Sequence, residues 1–326
     1  MKYLILLLCL LSFNISNSQS PVLIKNVRVV DVINEKLLDG LKDILVENER
    51  IKNIENTGII GSQGTMTVYD AKGAYAIPGL WDMHAHPDDP EVWRFGPKNE
   101  AKTLLMPQFV VHGVTGIRDM AGDMNLVNEW RDKIKTKQLI GPQIIAGGPL
   151  LDGPNPMWDG SVGINDPNTV AHIADSLIDS GVDFLKVYSL LPRDTYLALQ
   201  KYANEKGYTV AGHVPFNVKP SEAAIAGIDC QEHFLEILKE VSSKADDIAN
   251  GIIDYGDRTS RIDRGLFRRN LILDTYDRKK AAQLYQLFAE KEVWHTPTIS
   301  MWYKNAYYED EVKKDAPLFN YLPDYL

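Results

Sequence analysis

The chain has 326 residues, a formal net charge of -9 and 44% hydrophobic residues, with a sequence pI of about 5.3. This is enough chain and apolar content for a sizeable folded core, and the acidic balance argues against nucleic acid as a partner because it offers no basic face to phosphates. Basic pairs such as Arg268-Arg269 and Lys279-Lys280 read as solvated helix faces.

The N-terminus runs Met1, Lys2, an apolar stretch from Tyr3 to Leu11, then SFNISNSQS. A basic start, a short apolar run and small residues at Ser16 and Ser18 predict a secretory signal peptide over residues 1–18, and hence a secreted or periplasmic protein. The run is shorter than the roughly 20 residues a membrane span needs, so no span is expected. Cleavage would leave Cys230 as a single cysteine, without an intramolecular disulfide partner and suited to a small buried core position.

Residues 19–76 read as a small β-sandwich-like module. VLIKNVRVVDV, KDILVENERIKNIEN and MTVYDAKGAYAIP alternate apolar and polar residues, and Glu49-Arg50 reads as a hairpin turn. From residue 77 to 326 the rhythm changes to short apolar strands alternating with helical stretches: GLWDMHAH, VTGIRDM, PQIIAGG, FLKVYSL, YTVAGHV, IDCQEHF and WHTPTIS. That alternation predicts an α/β fold of the (β/α)8 TIM-barrel type with seven recognisable strands and the eighth missing. The charged stretch from Leu235 to Glu292 reads as helices inserted after the sixth strand, together with the regular barrel helix.

In a parallel barrel, chemistry gathers where the C-terminal ends of the strands meet. His84 and His86 share one face of the first strand, Lys186 sits in the fourth, His213 in the fifth and His233 in the sixth, each just before a loop. Imidazole nitrogens suit divalent transition metals, and a metal with an open position activates water. A buried lysine tends to lose its proton, and a neutral amine can take up carbon dioxide as a carbamate. A salt-bridged or snorkelling lysine is the plain alternative for Lys186.

The ordered motifs PGLWDMHAHP, GVTGIRDM, DFLKVYSLLPR, AGHVP and EHF resemble the amidohydrolase superfamily, in its imidazolonepropionase-like or prolidase-like branch. The resemblance implies two divalent metal ions, with zinc the first candidate. His84 and His86 would bind one, His213 and His233 the other, and a carboxylated Lys186 would bridge them. It further implies hydrolysis of C–N bonds in amides, cyclic amides or dipeptide-like small molecules by metal-activated water. The family's eighth-strand aspartate, its general base, has no counterpart: after the seventh strand come only Asp310, Asp315 and Asp324, none following an apolar strand. The sequence therefore reads as C-terminally truncated, and a catalytically inactive metal-binding fragment is the alternative.

The loop Asp152-Gly-Pro-Asn-Pro-Met-Trp158-Asp159 follows the third strand, where Asp152 and Trp158 could meet substrate. Tyr188, two residues past Lys186, could support a substrate carbonyl or simply pack in the core. His112 reads as a helix-end residue, His172 as exposed and His295 as structural. The expected partner is a small molecule, with homo-oligomerisation left open.

Overall fold

In the computed structural model, residues 20–62, 64–88 and 98–310 are described. The signal-peptide segment 1–18 and the residues Asp315 and Asp324 lie outside them. The chain divides into two compact units meeting in sequence at Pro78 and Gly79.

The first unit is one six-stranded sheet: β1 (Val22–Asp31), β2 (Lys36–Leu37), β3 (Lys42–Glu47), β4 (Arg50–Asn56), β5 (Thr67–Asp70) and β6 (Tyr75–Ala76). Strand β1 pairs antiparallel with β2 and β3, and β3 with β4; β1 also pairs parallel with β5 through Val22–Lys25 and with β6 through Arg28–Val29. A register shift between Ile24 and Val27 bends β1 where Asn26 takes a positive φ, so one strand serves both ends of a curled sheet. Leu23, Val27, Ile44 and Leu45 are buried. The tight β3–β4 turn places Asn48 and Glu49, both at positive φ, between the strands, one residue earlier than the sequence suggests.

The second unit holds the parallel core. Its strands are β7 (Leu80–Ala85), β8 (Val114–Asp119), β9 (Gln143–Ala146), the two-residue β10 (Leu151–Asp152) and β11 (Val162–Gly163), then β12 (Leu185–Val187), β13 (Val210–Gly212), β14 (Cys230–Glu232) and β15 (Trp294–Thr296). All pairings among them are parallel, running β7-β8-β9 and β11-β10-β12-β13-β14-β15. The two runs meet where Asp183 N donates to Ala146 O at 2.8 Å. This is the expected parallel core of a (β/α)8-type barrel, and each of the seven sequence-predicted strands is present.

Between the strands lie α1 (Lys98–Val111), α2 (Met124–Lys135), α3 (Val170–Asp179), α4 (Arg193–Lys206) and α5 (Pro220–Ala226). After β14 come the inserted α6 (Leu235–Glu240), α7 (Ala245–Ala249) and α8 (Arg261–Asp274), then α9 (Arg278–Glu290); α10 (Ile299–Ala306) follows β15. Local chemistry fixes their ends: Asp123 caps α2 and Asp277 caps α9 through their carboxylates, and Gly207 closes α4 in the left-handed conformation. The core between helices and sheet contains Met106, Ile117, Trp130, Leu151, Leu185, Tyr196 and Leu199. At Gly212 (φ +148°) an added Cβ would lie 2.1 Å from Val187 O, so only glycine lets β13 approach β12 beside the site.

Candidate active site

Parallel register places the C-terminal ends of the strands on one edge. Lys186 pairs with Ala211 and Val187 with Gly212, so Tyr188 and His213 follow side by side, while Glu232 pairs with Thr296 and His233 N donates to Thr296 O at 2.9 Å. His84, His86, Lys186, Tyr188, His213 and His233 line one cavity of about 1270 Å³. The imidazole centroids form a chain, with His86 to His84 at 5.0 Å, His84 to His233 at 4.8 Å and His233 to His213 at 4.8 Å.

Hydrogen bonds set most of the ring orientations. His84 Nδ1 lies 2.6 Å from Glu232 Oε2, and its Nε2 is 3.1 Å from His86 Nε2. His213 Nδ1 meets Ser189 Oγ at 2.9 Å, and the ring stacks on Tyr188 at 4.2 Å. His233 Nδ1 meets Thr298 Oγ1 at 2.7 Å; because Thr298 Oγ1 donates to Pro297 O, His233 Nδ1 is the donor and its Nε2 keeps the lone pair. His233 (φ 62°) and the β-branched Thr298 (φ 52°) are both left-handed, a costly conformation outside glycine that clusters at functional sites.

The electrostatics favour neutral rings. Loss of water lowers the pKa of all four histidines, and the Lys186 charge adds to this; His86 falls to about 3 and His233 to about 4. Lys186 is 1% exposed and its Nζ has no hydrogen-bond partner. Burial pulls its pKa down to about 8, against the opposing pull of Glu232. Asp119, at the end of β8, is fully buried with Oδ2 unpartnered, and burial raises its pKa to about 7.

The expectation of two divalent metal ions, zinc first among them, is corrected here. Among the described residues, no group of three or more His, Cys, Asp or Glu side chains is arranged to hold a metal ion. Two local arrangements accompany this: the Nε2 atoms of His84 and His86 face each other at 3.1 Å, and the carboxylate beside them, Glu232, is taken up by His84 and the Arg118 guanidinium.

Trp158 also lines the cavity, 43% exposed, and its indole donates to Tyr188 Oη at 2.8 Å. Asp152 turns away from the cavity: it is fully buried and accepts from Leu190 N at 2.6 Å and Met157 N at 3.0 Å, bracing the loop that carries Trp158. His112 Nδ1 bonds Gln108 O at 2.8 Å at the end of α1, and His172 is exposed. His295 packs against Phe288 at 4.6 Å, with both ring nitrogens unpartnered. Asp310 is exposed.

Sequence reasoning missed Arg118 and Glu232. Glu232 joins His84 on one side and the Arg118 guanidinium on the other; Arg118 also donates to Met83 O at 2.8 Å and Thr296 Oγ1 at 3.0 Å. The available signal was a charged residue inside each of the apolar runs VTGIRDM and IDCQEHF, since a buried charge requires a partner.

No family model matches the chain. Over 68 residues it is 46% identical to a dihydroorotase of Elusimicrobium minutum, covering 21% of this chain and 15% of that protein. Over 69 residues it is 44% identical to a dihydroorotase of Trichlorobacter lovleyi, again 21% and 15%. Among solved structures it is similar to bottromycin amidohydrolase (TM-score 0.51, 21% identity, 67% of this chain and 43% of that one). It also resembles a Xaa-Pro dipeptidase with bound methionine (0.55, 20%, 85% and 78%) and A. niger ochratoxinase (0.56, 14%, 85% and 75%). The chain thus spans about a seventh of the dihydroorotases and under half of the bottromycin enzyme. At these identities the structural likeness establishes a shared fold.

Proposed function

We propose that this chain carries the active site of a hydrolase that cleaves C–N bonds in small amides, cyclic amides or dipeptide-like molecules, and that it belongs to the amidohydrolase superfamily. The observation that carries the reading is the convergence of His84, His86, Lys186, His213 and His233 on one cavity at the C-terminal edge of a parallel sheet. The fold shared with a dipeptidase, an amidohydrolase and ochratoxinase supports it, as does the local identity to dihydroorotases. In this reading the activity lies outside the cytoplasm, where the signal peptide expected over residues 1–18 would direct the chain.

The residues divide the work by their chemistry. Burial is the main cause that holds the His86 and His233 rings neutral, so they act as groups that orient water and substrate. Lys186 supplies the reactive group: with a pKa of about 8, part of it is neutral near pH 7, and its unpartnered Nζ is open to carbon dioxide. The amine nitrogen bonds the carbon of carbon dioxide and gives up one proton to solvent, and the resulting carbamate places an anion with two acceptor oxygens in the cavity, able to take a proton from the attacking water and pass it to the leaving amine nitrogen. Tyr188 accepts from Trp158, which leaves its own hydroxyl hydrogen for a substrate carbonyl oxygen. Trp158 offers an apolar wall beside it. The test is amine release from dipeptides, N-acyl amino acids and cyclic amides in bicarbonate buffer; release above the buffer rate supports the reading, and none across the panel overturns it.

A further inference from the structure

We propose that Glu232 and Arg118 are positioning residues that hold His84 as its Nδ1–H tautomer, leaving the Nε2 lone pair on the cavity side. Glu232 has a fully buried side chain on β14, with Oε2 2.6 Å from His84 Nδ1 and Oε1 on the Arg118 guanidinium. An ionised carboxylate only accepts, so Nδ1 is the donor; a neutral imidazole has one N–H, so Nε2 is bare. The opposite tautomer would set a lone pair against a carboxylate oxygen at 2.6 Å.

Arg118 adds its charge to the His84 hydrogen bond and the Lys186 charge, which together favour the ionised form of Glu232 against its burial. It reaches from β8 to β14 and β15, its Nε held by Met83 O and one terminal nitrogen shared among Glu232, Thr296 Oγ1 and the Cys230 sulfur at 3.5 Å. A lysine could not make this fork, because its donors radiate from one point. Four strands are thereby tied to one proton position. The consequence extends to His86: His84 Nε2 accepts, so at 3.1 Å His86 Nε2–H donates, and His84 Nε2 is free to accept instead from a cavity molecule that displaces it. Buried carboxylates that fix a ring tautomer set which nitrogen can act, as in the histidine–carboxylate pairs of hydrolases.

The proton placement stands apart from the reaction; only its effect on turnover rests on the hydrolase reading. The experiment is two-bond proton–nitrogen correlation NMR on the full chain labelled with 15N-histidine, with His84 identified by its loss in His84→Gln. The expected result is a protonated Nδ1 and a bare Nε2; a protonated Nε2 in the parent chain overturns the proposal without recourse to any further variant. In Glu232→Gln, whose amide can either donate or accept, the Nδ1–H form loses its dominance and kcat falls by about tenfold or more while KM changes little. Arg118→Lys, which keeps the charge, should lie between parent and Glu232→Gln. Retention of both tautomer and rate in the two variants reduces the pair to packing and overturns the proposal. If the parent shows the Nδ1–H form yet hydrolyses nothing, the hydrolase reading fails and the proton placement survives.

Discussion

Replacing Arg118 by methionine keeps most of the side chain's bulk and removes its charge, leaving Glu232 with a side chain 0% exposed and no cationic partner on that oxygen. Burial works against ionisation of Glu232, but the His84 hydrogen bond and the charges of Lys186 and Arg118 together hold its pKa below the ordinary 4.5. Breaking one side of a buried pair costs about 3–5 kcal/mol, far above the roughly 0–1 kcal/mol of a surface pair. For a domain of this size, about 2–4 °C of Tm follows each kcal/mol, so Arg118→Met should lower Tm by roughly 6–20 °C. The double variant Arg118→Met/Glu232→Gln removes the stranded charge as well and should recover part of that loss. Thermal unfolding by circular dichroism at pH 7 is the assay. A single-variant loss near the surface-pair value, or a double variant whose loss is the sum of the two singles, would refute the claim that the pair is buried and coupled.

Asp119→Asn tests the buried carboxyl. Its folded pKa is raised from 3.8 to about 7, so its contribution to stability is full below 3.8 and is lost as pH rises through 7. The Tm of Asp119→Asn relative to the parent should accordingly improve between pH 4 and pH 8, and a pH-independent difference would contradict the burial. The histidines act in the opposite sense. His233, with its folded pKa lowered from 6.5 to about 4, stabilises the fold fully above 6.5 and progressively less as pH falls towards 4, so Tm should fall across that window in the parent and less steeply in His233→Asn. Gly212→Ala meets Val187 O at 2.1 Å and should destabilise by more than the roughly 1 kcal/mol of an ordinary glycine exchange; a neutral result in urea unfolding would mean that β12 and β13 do not approach as described. Carbon-13 NMR under labelled bicarbonate should show a carbamate carbon in the parent that is absent from Lys186→Met, and identical spectra would exclude the modification.

The sequence made the barrel strands legible because each is a short apolar run between helical stretches, as VTGIRDM and YTVAGHV show, and a parallel sheet buried on both faces demands that pattern. It also brought His84, His86, Lys186, His213 and His233 to one rim, since each residue ends such a run. What it could not supply was the partner of each nitrogen. Glu232 lies 148 positions from His84 and 114 from Arg118, distances across the barrel that no local periodicity encodes. The same blindness produced the metal expectation, because ligand-type residues on one rim say nothing about where their lone pairs point. Asp152 was misplaced for a related reason: a carboxylate in a loop reads as available, whereas here two backbone N–H groups consume it. The two-residue strands β10 and β11 carry no periodicity at all, and the stretch from Asp152 to Asp159 that links them reads as a loop.

The most direct test of the central claim is the single-turnover rate of amine release, in bicarbonate buffer, from the best amide of the panel by the parent chain and by Lys186→Met. General acid–base groups are worth about a hundredfold to ten-thousandfold, so Lys186→Met should lose that much with its fold intact by circular dichroism. Equal rates in the two proteins, or no amine released by the parent from any amide, would contradict the placement of C–N hydrolysis at the Lys186 cavity.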